Sequence, residues 1–173
     1  MKRASLLFVG LLFAVSCGSS SSTSPTGSIK PTFTAALLPA NEVPPVSGAE
    51  AGGTGNVTVT FDTTTNSAGQ ITAATATFVV NLSGFPVGTA INVAHIHQGP
   101  PGCVCKVVVN TTLLASDQVA TNSVGSITFV KAGVPAGADI VQGILNDSSG
   151  FYFNVHSTNN PGGVARGVLS RVQ

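Results

Sequence analysis

This chain of 173 residues contains only three histidines. Two stand two residues apart in Val93-Ala94-His95-Ile96-His97-Gln98-Gly99, and the third, His156, ends the run Tyr152-Phe153-Asn154-Val155-His156. Side chains of an extended strand alternate between faces, so His95 and His97 project from the same side. Two imidazoles so spaced can bind one metal ion or share a hydrogen-bond network. His156, from another strand, is the natural third ligand. Neutral imidazole suits copper, zinc or nickel, and three histidines leave one coordination position open. The competing reading is structural, with ring nitrogens bonded to backbone carbonyls or to nearby Asn and Arg. In that reading the histidines join Glu42, Asn154 and Arg166 in a polar cluster that ties strands together.

Enzymatic arrangements are hard to find. No serine sits in a G-x-S-x-G elbow, and no paired carboxylates stand near the histidines. Glu42 is a candidate lone general base. A Glu just ahead of Pro44 and Pro45 more readily serves as a turn or salt-bridge residue. Arg166 has the geometry to grip an anion bidentately, yet pairing with Glu42 or an Asp is the more economical use. The residues therefore favour a non-enzymatic domain that binds a partner or supports a surface, with a copper or zinc module as the alternative.

Composition points outside the cytosol. Hydrophobic residues make up 43% of the chain and charged residues only 8%. Thr, Ser, Asn and Gly replace Lys and Glu as surface residues. With 20 Gly, 10 Pro and no Trp, the chain reads as an exported, turn-rich, all-β protein of one domain. The net charge is +1 and the basic residues are scattered, which excludes the electrostatic footprint of a nucleic-acid binder.

The N-terminus reads as an export signal over residues 1–16. Lys2 and Arg3 precede an apolar stretch from Leu6 to Val15, too short for a bilayer span of ~20 residues. It runs into Ala14-Val15-Ser16-Cys17-Gly18, which is similar to a bacterial lipobox, with Ala14 where Leu is commoner. Cys17 is then the lipid-bearing first residue, and 17–29 form a lipidated cysteine and flexible Ser/Thr/Gly tether before a domain spanning 30–173. Gly18 in second place, rather than Asp, resembles the outer-membrane sorting pattern of Gram-negative lipoproteins. The expected address is thus the cell envelope, anchored to the membrane by lipid, facing an unidentified envelope protein or surface ligand. Loss of the leader leaves five Lys and Arg against six Asp and Glu. In an oxidising compartment Cys103 and Cys105 read as a disulfide, with a pair of thiolates beside the histidines as the alternative.

The elements that must position these residues are short strands. Thr32 to Leu38, Asn56 to Phe61, Gln70 to Leu82, Ala90 to His97, Lys106 to Asn110, Ser126 to Val130, Phe151 to His156 and Val164 to Val172 each carry a strand pattern. Val57, Val59 and Phe61 share one face, as do Phe78, Val80 and Leu82, and as do Phe151, Phe153 and Val155. Tyr152, Asn154 and His156 take the opposite face, which Arg166 is expected to reach. Asp139 to Leu145 has helical spacing behind an Asp cap, so one short helix is expected there. About eight short strands separated by turn signals predict an antiparallel β-sandwich. Four Asn-x-Ser/Thr sequences, at Asn56, Asn81, Asn110 and Asn146, are read as by-products of Thr-rich strands.

Four segments in order resemble the CHRD domain, the module named after chordin. They are Phe33-Thr34-Ala35-Ala36-Leu37 with Asn41-Glu42-Val43-Pro44-Pro45; Ala94-His95-Ile96-His97-Gln98-Gly99; Gly150-Phe151-Tyr152-Phe153-Asn154-Val155-His156-Ser157; and Pro161-Gly162-Gly163-Val164-Ala165-Arg166-Gly167. The resemblance runs from Phe33 to Leu169. Cys103-Val104-Cys105 departs from the family's small or polar residues after the glycine turn, and Ser157 stands where Thr is usual. The resemblance implies an immunoglobulin-like or superoxide-dismutase-like sandwich without a general activity. Chordin's growth-factor binding does not transfer on fold alone. Three histidines cannot supply both metal sites of copper-zinc superoxide dismutase, so dismutation is not expected.

Overall fold

Alternation of apolar residues with Thr drives the first three strands. In the computed structural model, which describes residues 30–172 apart from Pro101 and Gln118, these are β1 (Thr32–Leu37), β2 (Thr54–Thr65) and β3 (Ile71–Ser83). Phe33, Ala35 and Leu37 of β1 point inward, as do Val57, Val59 and Phe61 of β2 and Phe78, Val80 and Leu82 of β3. The export signal, Cys17 and the tether lie outside the described residues.

Two antiparallel sheets result. The first also contains β6 (Ile127–Ala136) and β9 (Ser170–Arg171), in the order β6-β3-β2-β1-β9. The second contains β4 (Ile91–Gln98), β5 (Lys106–Asn110), β7 (Phe151–Ser157) and β8 (Ala165–Val168), in the order β5-β4-β7-β8. Their inner faces form one core, which Phe78 and Phe153 bridge with ring centroids 5.6 Å apart. Each phenylalanine buried this way contributes about 1.5–3 kcal/mol. The helix α1 (Ala138–Asn146) lays Val141 and Ile144 on this core and packs against β3.

Three expectations need correction. The strand expected over Ser126 to Val130 runs on to Ala136, because a register shift between Ala76 and Phe78 absorbs a bulge at Gly133, where φ is 67°. The bulge breaks the alternation that would signal a strand, and Pro135 is tolerated because β6 is an edge. The single final strand divides at Leu169, whose N–H donates to the Phe151 carbonyl. Its first half stays in the second sheet as β8 and its second half joins β1 in the first as β9, so the described residues hold nine strands, close to the eight or so expected. Finally, Asp139 is not the helix cap. Gly137 occupies that position with no side-chain cap, and Asp139 lies inside the first turn, where its charge favours the helix dipole.

The sheets meet along β1 and β8. Leu38 and Arg166 form an isolated bridge, and the Gly167 backbone lies so close to the Ala36 carbonyl that no Cβ fits between them. Gly167→Ala should therefore lose about 1–3 kcal/mol or more through overpacking. Gly162→Ala, where a Cβ meets nothing, should stay within about 0.5 kcal/mol of the parent. Denaturant melts of the two variants check this; equal stability would contradict the close approach.

Candidate functional site

Strand β7 is buried along its whole length, on both faces. Phe151, Phe153 and Val155 fill the core. Tyr152, Asn154 and His156 line the outer face, which in a sandwich is normally wet. Register builds the rest of the site on that face. His95 of β4 lies opposite Asn154, His97 opposite Tyr152, and Arg166 of β8 opposite Asn154. A row His95–Asn154–Arg166 thus crosses three strands, with His156 and Tyr152 as diagonal neighbours of His95.

Three loops cover this face. One carries Asn41 and Glu42, one carries Cys103 to Cys105, and one is the turn before β8 that contains Pro161. Beneath them His95, His97 and His156 are only 7%, 7% and 9% exposed. Ring centroids of His95 lie 4.4 Å from His97 and 4.6 Å from His156. One ring nitrogen from each histidine lies within 4.8 Å of the others.

The hydrogen bonds fix which nitrogen carries a lone pair. His97 Nδ1–H donates to the Cys105 carbonyl at 2.6 Å, and His156 Nδ1–H donates to the Pro161 carbonyl at 2.8 Å. In the neutral rings both Nε2 atoms are therefore acceptors. His156 Nε2 meets His95 Nε2 at 2.9 Å. His97 Nε2 is buried without a hydrogen-bond partner among the described residues. Burial pulls all three pKa values down, His95 from 6.5 to about 3, with the neighbouring histidines adding to its shift. For His97 and His156 burial is also the main cause, opposed by their bonds to the carbonyls of Cys105 and Pro161.

Beside the histidines sits the cluster of Glu42, Asn154 and Arg166. Arg166 Nε lies 3.3 Å from Glu42 Oε2 and donates to the Asn41 carbonyl at 2.7 Å, while Nη1 donates to the Cys103 carbonyl at 2.7 Å. Asn154 hydrogen-bonds Glu42, and Gly163 has no side chain because a Cβ would strike both groups. Burial pushes the Glu42 carboxyl up to about 7, against the pull of Arg166 and Asn154.

Cys103 and Cys105 are joined in a disulfide. Their sulfurs pack against Gly99, where a side chain would collide with both. Their carbonyls meet the site, that of Cys105 accepting from His97 and that of Cys103 from Tyr152 and Arg166. Tyr152 ties this ring down. Its hydroxyl donates to the Cys103 carbonyl at 2.9 Å and accepts the Cys105 N–H at 3.2 Å. Its ring stacks on His97 at 4.6 Å and 8°, and the Arg166 guanidinium lies 5.1 Å from its centroid. A cleft of about 150 Å³ borders Tyr152 and Arg166, below the ~300 Å³ at which small-molecule pockets begin.

Sequence reasoning brought Tyr152 to the correct face without giving it a role. It missed Glu50. That carboxylate is buried and receives hydrogen bonds from Ser157 Oγ, Asn159 and Asn160, pinning the loop that leads to Pro161. A lone Glu in a loop gives no periodic signal. The backbone acceptors Pro161, Cys103 and Cys105 were equally invisible, since a carbonyl is common to every residue.

Fold and site together define an all-β sandwich whose second sheet carries a capped polar face instead of a wet one. Residues 33–169 match the family model of the CHRD domain. The chain belongs to that family. The membership points to a non-enzymatic binding or structural domain. No curated protein and no solved structure matches the chain.

Stability should respond to pH in two opposing ways. The buried histidines stay neutral where the unfolded chain would protonate them, so their contribution is complete above about pH 6.5 and is lost as pH falls below it, for His95 down to about 3. Glu42 does the reverse. Its folded pKa of about 7 exceeds the ordinary 4.5, so its contribution is complete below 4.5 and is lost as pH rises through 7. In metal-free protein, Glu42→Gln should therefore make Tm climb more steeply from pH 4.5 to 7 than in the parent. Parallel profiles would contradict a raised Glu42.

Proposed function

We infer that this CHRD domain is a non-enzymatic metal-binding module, with His95, His97 and His156 as ligands for copper or zinc. The observation that carries the reading is the buried Nε2 of His97, which has no hydrogen-bond partner among the described residues, in a cluster where one ring nitrogen of each histidine lies within 4.8 Å of the others. A buried acceptor without a partner costs about 1–3 kcal/mol. A purely structural cluster leaves that cost standing, whereas a cation removes it.

The surroundings support the reading in chemical terms. Metal ligands must be neutral imidazoles, and the depressed pKa values keep them so at neutral pH. Metal-binding histidines commonly donate their second ring nitrogen to a carbonyl, which orients the ring and fixes its tautomer. His97 and His156 both do so. Ligands at 2.0–2.1 Å around a tetrahedral centre stand ~3.3 Å apart, against 2.9 Å between the Nε2 atoms of His95 and His156 and at most 4.8 Å across the three rings. Three nitrogens and no charged ligand suit Zn(II), Cu(I) or Cu(II), with the fourth position left to an exogenous group.

By its sequence this module is also exported and held at the cell envelope through lipid on Cys17, facing an envelope protein or surface ligand. Cys17→Ser should move the protein from the membrane fraction to the soluble one; a variant still bound to membranes would defeat the anchor.

For the site, metal content and titration of the full chain are decisive. The expected result is one copper or zinc per chain, with affinity reduced at least a hundredfold in His97→Ala and in His156→Ala. Folding in both variants is checked by circular dichroism. A folded parent that takes up neither metal would return the histidines to a structural role.

A further inference from the structure

The ring Cys103-Val104-Cys105 contributes four of the hydrogen bonds that hold the cap on the outer face. The Cys105 carbonyl takes the His97 Nδ1 proton, the Cys105 N–H meets the Tyr152 hydroxyl, and the Cys103 carbonyl accepts from both Tyr152 and Arg166. The disulfide is the covalent bond that fixes these backbone atoms relative to each other. Gly99 leaves room for the paired sulfurs.

We propose that the Cys103–Cys105 disulfide is a redox-modifiable site whose state sets the metal affinity of the three histidines; this rests on the metal-binding reading above. Its location allows attack, because Val104 is 81% exposed and both cysteines are only partly covered. Its partner is a dithiol reductant. One thiolate of the reductant attacks a disulfide sulfur, breaking the S–S bond, forming a mixed disulfide and releasing the other cysteine as thiolate. The second thiol of the reductant resolves the mixed disulfide. Two electrons and two protons end on Cys103 and Cys105, and the reductant leaves as its own disulfide.

Loop length separates a switch from a staple. Stabilisation by cross-linking grows with the length of the closed loop, and these cysteines are two positions apart. Opening this ring therefore changes global stability little, and its effect falls on the groups it touches. His97 loses the fixed carbonyl that defines its tautomer and orientation, and outer partners of this kind are worth ~10–100-fold in metal affinity. The sulfurs face Gly99.

The test is Zn(II) titration of the full chain in three forms: oxidised, phosphine-reduced, and Cys103→Ser/Cys105→Ser. The nitrogen-15 signal of the His97 ring is followed in parallel. The expected result is a ~10–100-fold weaker dissociation constant in the reduced and double-serine forms, a changed His97 ring signal, and an unchanged circular dichroism spectrum. Equal affinity in all forms, or tighter binding after reduction, would overturn the proposal. If no form binds zinc, the metal reading itself fails. The affinity proposal is then overturned with it, and the ring signal shows separately whether reduction reaches His97.

Discussion

Everything on the outer face of the second sheet follows from burying β7 on both sides. An apolar strand can be buried twice at no polar cost, but β7 places Tyr152, Asn154 and His156 on its second face. Each polar atom there needs a partner, or it costs free energy that a domain stable by only ~5–15 kcal/mol cannot spread widely. The protein meets this need with loops. Three separate segments fold over the face and supply mainly backbone carbonyls, from Asn41, Cys103, Cys105 and Pro161. The short ring at 103–105 and the Glu50 anchor under Asn159 and Asn160 hold two of those segments in place.

Satisfaction by rigid backbone has a consequence for chemistry. Side-chain partners can rotate away, whereas a carbonyl in a pinned loop fixes the tautomer of the ring it receives. His97 and His156 are so fixed, which leaves the Nε2 lone pair of each free of the loops, that of His156 meeting His95 Nε2. The neighbouring Glu42–Arg166 pair shows the opposite solution, a buried ion pair whose acid is pushed toward neutrality by its surroundings. Buried pairs of this type add little net stability and are better understood as fixing arrangement. Here Arg166 links Asn41, Glu42 and Cys103, so two of the three loops are registered to one side chain.

How much of this could be read from the sequence depended on whether a side chain or a backbone atom did the work. Alternating Val, Phe and Thr made β2 and β3 plain, and H-x-H put His95 and His97 on one face by the strand period alone. The convergence of His156 with them followed from pairing two strands of the same pattern. The split of the last strand at Leu169 was not legible, because Val164 to Val172 reads as one strand and only the closure of the sandwich divides it. Gly133 hid half of β6 by breaking the alternation with a bulge. Helix α1 was found from its spacing but given the wrong cap, since Gly137 has no side chain to announce itself. Tyr152 looked like one more strand residue, and its stacking on His97 depends on a β4–β7 register that no local pattern specifies.

The central claim, that the three histidines form a metal site, is tested most directly by X-ray absorption of the zinc-loaded full chain. The account predicts three imidazole nitrogens at ~2.0–2.1 Å with one further light-atom ligand. Sulfur scattering at ~2.3 Å would place the metal on the cysteines instead. Absence of imidazole scattering would contradict the site altogether.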